Sequence, residues 1–114
     1  MKLVFAAAFA LAAAAPAAAQ GADPQVEFLG YCIEQGNSTN YCACLSDELG
    51  KVLSARDFAI YLDYLRIIAS GDRDQASIIA KLKTNNSITG KELGASLKAS
   101  TEAAGAAAKT CAGL

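Results

Sequence analysis

The chain has 114 residues, four cysteines, no histidine or tryptophan, and a formal net charge of −1 at pH 7. This length allows one small domain at most. With 54% hydrophobic and 18% charged residues, the composition is that of a folded protein and excludes a disordered tail or a polybasic nucleic-acid binder. The absence of histidine excludes Ser-His and Cys-His catalytic pairs, histidine metal sites and c-type haem attachment. We therefore expect a non-enzymatic protein with no cofactor and no nucleic-acid partner.

The N-terminus has the pattern of a secretory signal peptide. Lys2 supplies a short positive region, residues 3–15 form an unbroken apolar stretch, and the small residues 17–19 precede Gln20 as a signal peptidase site requires. The apolar stretch ends at Pro16, which leaves it shorter than the roughly 20 residues of a membrane-spanning helix. A cleaved signal is therefore the preferred interpretation.

Cleavage divides the chain into a signal peptide, residues 1–19, and a single domain, residues 20–114. The domain contains no apolar run long enough to span a membrane. The alanine-rich leader favours a bacterial periplasm, so we predict a periplasmic or secreted protein.

The first of five expected helices starts at an N-cap residue, and the second follows a polar turn at residues 36–39. Asp23 followed by Pro24 begins the first helix, which Gly36 ends. The second helix is expected over residues 41–53. Apolar residues recur at helical spacing in both. Those expected to face the core are Val26, Leu29 and Ile33 in the first helix and Cys42, Leu45, Leu49 and Val52 in the second.

The three later helices also carry capping signals. The third has apolar residues on two sides, ends near Ser70, and is expected to be the central and most buried element. The fourth helix is expected to end at Asn85 and Asn86. The capping pairs are Ser54 with Asp57, Asp72 with Gln75, and Thr89 with Glu92, and the expected core stripe of the fifth helix is Leu93, Leu97, Ala104, Ala108 and Cys111.

The chain shows no strand-like alternation longer than a few residues, and the segments between the helices are short. Short connections favour antiparallel neighbours. The sequence therefore predicts an all-α fold, a small bundle of about five short helices held by two disulfides.

Cys32, Cys42, Cys44 and Cys111 form an even set in a small exported chain, the setting in which cysteines build a disulfide framework. Cys42 and Cys44 point about 200° apart on a helix, which disfavours a bridge between them. We favour Cys42 with Cys111 and Cys32 with Cys44, because the first two lie on expected core stripes and the others at stripe edges. Cys32 with Cys42 and Cys44 with Cys111 remains the alternative.

A different role for Cys42 and Cys44 is a working dithiol, either redox-active or binding Cu(I). Only one residue separates them, whereas redox dithiols usually have two intervening residues and follow a strand. Copper-handling proteins usually supply methionine or histidine, and Met1 is the only methionine here. Structural bridges are therefore preferred.

Tyrosines, paired acids and uneven charge suggest further roles. Residues 20–63 hold seven acids and two bases, whereas residues 64–114 hold seven bases and four acids. Mutual neutralisation or a solvated surface is the simpler interpretation, and a bipolar docking surface is the alternative.

Asp72 and Asp74 are interpreted as helix caps rather than catalysts. The four tyrosines are interpreted as core and boundary residues, and the alternative is that they line a ligand groove. They are Tyr31, Tyr41, Tyr61 and Tyr64.

The expected function is that of a small exported binding or interaction protein with an unidentified protein partner or client, in an envelope-stress or chaperone-like role. Small helical, disulfide-containing acid-stress chaperones of the bacterial periplasm are similar in size and composition, although no specific motif matches. A chaperone of this kind predicts an exposed apolar patch that low pH uncovers. The alternatives are a thiol-redox or Cu(I)-handling protein using Cys42 and Cys44, and a small-ligand carrier with a tyrosine-lined cavity inside the bundle.

Overall fold

A computed structural model describes residues 23–114, so the expected signal peptide, residues 1–19, lies outside the described residues. Within the described range all regular secondary structure is α-helical, which confirms the predicted fold class. The five helices are α1 Pro24–Glu34, α2 Thr39–Val52, α3 Ala55–Ala69, α4 Gln75–Asn86 and α5 Gly90–Thr110.

Each helix begins after an N-cap whose side-chain oxygen accepts a hydrogen bond from a backbone N–H of the first turn, a group that has no partner inside the helix. Thr89 and Glu92 form the expected reciprocal capping box. The prediction that Asp72 caps α4 is wrong, because Asp74 directly precedes that helix and accepts from the Ser77 N–H. The five N-caps are Asp23, Ser38, Ser54, Asp74 and Thr89.

Two tight turns between helices depend on glycine. Gly36 follows α1 with φ 93°, and Gly71 follows α3 with φ 102°. Residues other than glycine rarely adopt such backbone angles at the end of a helix. These two residues let the chain reverse direction within a few positions.

The described part of the chain has a core of two clusters joined by α3. Phe58 and Leu62 of α3 belong to the first cluster, which α1, α2 and α5 also build. Ile60 and Ile67 of α3 belong to the second, together with residues of α4 and α5. Helix α3 contacts all four other helices. The prediction that the third helix is central is therefore confirmed.

The predicted core face of α1 is wrong. Val26 is 65% exposed and Ile33 is 40% exposed, while Leu29 is half-buried. Phe28 and Cys32, one turn apart, are the buried residues. An aromatic ring buries more apolar surface than a valine or isoleucine side chain, so the helix turns the Phe28 side toward α3, where the ring meets Phe58 edge-on at 5.6 Å between centroids.

The buried face of α2 follows the prediction over most of its length. Cys42 and Leu49 are buried and Leu45 is half-buried, but Val52 is 68% exposed at the end of the helix. Ser46 occupies the remaining buried position.

Helix α5 packs mainly through small side chains, and its buried face differs from the prediction. Ala108 is exposed and Ala104 half-buried, although both were expected in the core. Because alanine occurs on every side of this helix, apolar character alone cannot identify the inner face. The buried residues are Leu93, Ser96, Ser100, Ala103, Ala107 and Cys111.

Two buried serines on α5 are hydrogen-bonded. Ser96 Oγ donates to Asp57 Oδ1 at 2.8 Å, and Ser100 Oγ donates to the Ser96 carbonyl at 2.9 Å. Their polar atoms are therefore satisfied inside the protein.

Candidate functional site

The four cysteines tie α1 and the C-terminal end of α5 to α2. Cys32 lies in the last turn of α1 and bonds to Cys42 in the first turn of α2, with Cα atoms 5.7 Å apart. Cys44 bonds to Cys111, which follows α5, with Cα atoms 5.8 Å apart. The two bridges confirm the predicted number of disulfides.

The preferred pairing of Cys42 with Cys111 and Cys32 with Cys44 is wrong. Its premise was that Cys32 lies at the edge of the core face of α1, yet Cys32 is only 4% exposed and faces Cys42, which is fully buried. The α1–α2 hairpin places these two side chains opposite each other. Cys44 projects from another side of α2, toward the C-terminal end of α5.

This arrangement bears on the redox and Cu(I) alternatives. Every cysteine of the described residues is in a disulfide, and Cys42 and Cys44 belong to different bridges. A dithiol made of these two residues would require both bridges to be reduced. Cys42 and Cys111 are each 0% exposed, so one sulfur of each bridge is shielded from an attacking thiolate.

Three of the four tyrosines lie together along α1 and α3. The rings of Tyr61 and Tyr64 stack with 6.5 Å between centroids, and the Tyr31 hydroxyl donates to the Leu65 carbonyl at 3.4 Å. Burial, with smaller contributions from Tyr64 and Tyr31, raises the pKa of the Tyr61 hydroxyl. All three side chains are half-buried, which agrees with a boundary packing role.

The structure also contains a surface groove of about 330 Å³ between α3, α4 and α5. We call it the α3–α4–α5 groove. It opens to solvent and contains one tyrosine, so it differs from the tyrosine-lined internal cavity expected for a ligand carrier. Its lining residues are Tyr64, Arg73, Gln75, Ile78, Ile79, Leu97 and Thr101.

Asp72 and Asp74 both make local interactions, but only Asp74 has the predicted capping role. Asp74 caps α4, and Asp72 accepts hydrogen bonds from Lys81 Nζ and Ser77 Oγ, each at 2.8 Å. The Lys81 ammonium, the Ser77 hydroxyl and the Asp74 backbone N–H together hold the pKa of Asp72 at about 2. Asp72 thus ties the turn before α4 to the helix itself.

The outward side of α1 is apolar. Val26, Gly30 and Ile33 are exposed on this side, which we call the α1 outer face, and the half-buried Leu29 lies between it and the core. Acidic residues outnumber basic ones in α1 and α2, where Lys51 is the only base and is paired with Glu48 at 2.9 Å. The α1 outer face is therefore an apolar strip on an acidic half of the molecule.

No sequence pattern predicts the groove or the outer face as sites. Arg73 stands between two acids in a turn, and its groove forms only when three separate helices come together. The one available signal for α1 is Phe28, the largest apolar residue of that helix, whose spacing to Cys32 marks the buried side.

Within residues 23–114, no group of three or more His, Cys, Asp or Glu residues is arranged to hold a metal ion. No helix in that range is both long enough and apolar enough to cross a membrane.

No protein family model, no curated protein and no solved structure matches this chain.

Proposed function

We propose that this chain is an exported, non-enzymatic binding protein that contacts a protein partner through the α1 outer face. The observation that carries the proposal is the exposure of Val26 and Ile33, 65% and 40%, on a helix whose core contacts are made by other residues. Exposed apolar residues that share one face mark interaction surfaces in folded proteins.

Charge indicates the chemistry of the partner. Glu27 and Glu34 lie on α1 itself and Asp47 lies on the neighbouring helix α2, where Lys51 neutralises only Glu48. A partner segment with basic and apolar residues would complement this surface, since opposite charges steer association and disfavour acidic competitors. The proposed ligand is therefore a basic, amphipathic polypeptide segment.

A rigid scaffold would support such binding. The Cys32–Cys42 bridge fixes the end of α1 to α2, and two hydrogen bonds between Gln25 and Ser46 fix its beginning. A face held at both ends loses little conformational entropy when a partner binds.

A defined peptide pair tests the proposal. We expect a lysine–leucine amphipathic peptide to bind, by fluorescence anisotropy, at least about tenfold more tightly than the glutamate–leucine peptide of the same length. The double variant Val26→Ser/Ile33→Ser should weaken binding by a similar factor. Val52→Ser is the matched control, because Val52 is 68% exposed and lies outside the α1 outer face.

All three substitutions lie at exposed positions, so thermal unfolding should change little. Equal affinity for the two peptides, or an unchanged affinity of the Val26→Ser/Ile33→Ser variant, would reject the proposal. The chaperone-like form of this function adds that the same face suppresses aggregation of an unfolded client, an activity that the double variant should lose.

We further propose that the protein is processed after Ala19 and resides in the periplasm or is secreted. Two disulfides are compatible with an oxidising compartment. Protein recovered from the periplasmic or secreted fraction should have the mass of residues 20–114 and no free thiol. Full-length, reduced protein confined to the cytosol would contradict this location.

A further inference from the structure

We infer that the α3–α4–α5 groove is a binding site for a small amphipathic carboxylate, a molecule with one anionic head and a short apolar body. The inference is independent of the proposed function, which concerns the α1 outer face.

The groove offers an apolar floor and walls. Ile78 is 8% exposed, and Tyr64, Ile79 and Leu97 are half-buried around it. Its volume of about 330 Å³ lies at the small end of the range typical of ligand sites. A short alkyl chain or a single ring therefore suits it better than a long lipid.

Arg73 supplies a positioned cation at this groove. Its Nη1 donates to the Ile68 carbonyl at 2.6 Å and to the Asp72 carbonyl at 3.1 Å. Both bonds use the same nitrogen, and Nη2 and Nε donate to no acceptor among residues 23–114, so their donors remain for a ligand. A guanidinium held in this way recognises a carboxylate through paired, charge-assisted hydrogen bonds.

The acids nearest to Arg73 in the chain do not neutralise it. Asp72 is paired with Lys81 at 2.8 Å, and Asp74 caps α4. Within residues 23–114, Arg73 makes no ion pair with a carboxylate at 4.0 Å or less. Its charge is therefore available to a bound anion.

The charge of the surrounding residues also favours an anionic ligand. Every residue that lines the groove belongs to residues 64–114, the part of the chain with seven bases and four acids. Gln75, the first residue of α4, adds an amide to the rim. An anionic head at Arg73 with its apolar body against Leu97 and Ile79 would match both parts of the groove.

Isothermal titration calorimetry with octanoate, octylammonium and octanol tests this site on the purified protein. We expect octanoate, kept below its micelle concentration, to saturate one site with a Kd at least about tenfold lower than either analogue. Arg73→Gln should raise the octanoate Kd by about tenfold and leave octanol binding unchanged. Arg66→Gln is the matched control, since Arg66 is an exposed α3 residue that does not line the groove.

A second measurement keeps the test valid if Arg73→Gln unfolds. In the unsubstituted protein, octanoate should shift the methyl NMR resonances of Ile78, Ile79 and Leu97. Equal affinity for octanoate and octylammonium, normal octanoate binding by a folded Arg73→Gln variant, or shifts confined to other residues would overturn the inference. Association with phosphatidylglycerol vesicles without binding of monomeric octanoate would also overturn it.

Discussion

Gln25 of α1 and Ser46 of α2 exchange two hydrogen bonds across the first helical hairpin. Gln25 Nε2 donates to the Ser46 carbonyl at 3.1 Å, and Ser46 Oγ donates to the Gln25 carbonyl at 2.9 Å. The Gln25 amide lies over Gly50, where a Cβ would overlap it. The missing side chain at Gly50 therefore leaves room for the Gln25 amide to make its hydrogen bond to α2.

Replacing Gly50 with alanine should bring none of the usual benefit. Alanine normally stabilises a helix interior by about 0.5–1 kcal/mol relative to glycine. At Gly50 the new methyl must displace the Gln25 amide, with loss of a hydrogen bond worth about 0.5–1.5 kcal/mol. We expect the free energy of unfolding, from urea titration, to stay the same or fall for Gly50→Ala.

Two further variants isolate the cause. Gly105→Ala on α5 should give the normal stabilisation, because a Cβ there meets nothing within 4 Å. Gly50→Ala should recover its benefit in a Gln25→Ala background, since the obstructing amide is gone. Equal stabilisation by Gly50→Ala and Gly105→Ala would show that Gln25 does not constrain this position.

Removing either disulfide should destabilise the protein. Removing the disulfide that closes the longer loop should cost more stability than removing the one that closes the shorter loop. The bridges span sequence separations of 10 and 67 residues. In the chain-entropy model the shorter contributes roughly 3 kcal/mol and the longer roughly 4 kcal/mol. Urea unfolding of Cys32→Ala/Cys42→Ala and of Cys44→Ala/Cys111→Ala measures both.

Thiol counts on the same variants check the pairing. Each double variant above should contain no free thiol after oxidation, because the remaining pair is intact. Cys32→Ala/Cys44→Ala should instead retain two free thiols, since Cys42 and Cys111 then both lack their partners. The opposite pattern would restore the pairing that the sequence favoured.

Substitutions at adjacent alanines of α5 should have opposite consequences. Ala107 is 2% exposed and Ala108 is exposed. Ala107→Leu forces extra volume into a packed helix contact and should cost about 1–3 kcal/mol. Ala108→Leu should change stability by no more than about 0.5 kcal/mol. Thermal unfolding of the two variants measures the difference, and equal effects would place the inner face of α5 elsewhere.

Asp72 should contribute to acid sensitivity. Its pKa is lowered from 3.8 to about 2 in the folded protein. A lowered carboxyl pKa gives stability that is present above the unfolded value and lost as pH falls toward the folded value. Asp72→Asn should therefore destabilise the protein at neutral pH and lose its effect as the pH falls from about 4 to about 2.

Urea unfolding at several pH values measures this difference. Asp47→Asn is the matched control, because Asp47 is exposed and makes no hydrogen bond or ion pair with the described residues. A destabilisation by Asp72→Asn that is the same at pH 7 and pH 2 would show that the carboxylate charge does not cause it.

Local signals in the chain account for the helices. Asp23, Ser54 and Thr89 start helices where they were expected, because a cap acts on N–H groups within one turn of itself. The one misplaced cap, Asp72 instead of Asp74, arose where two acids compete within three positions. The central role of α3 was also predictable, since apolar residues on two sides of a helix must be covered on two sides.

The amino-acid sequence by itself determined the all-α class, the helix order and the presence of two disulfides. Only the tertiary structure decided that Phe28 rather than Val26 faces inward, that Cys32 meets Cys42, and that Arg73 borders a groove. The first group depends on interactions within a few residues of each other. The second depends on how each helix is rotated about its axis, and that rotation is fixed by the combined packing of residues far apart in the chain.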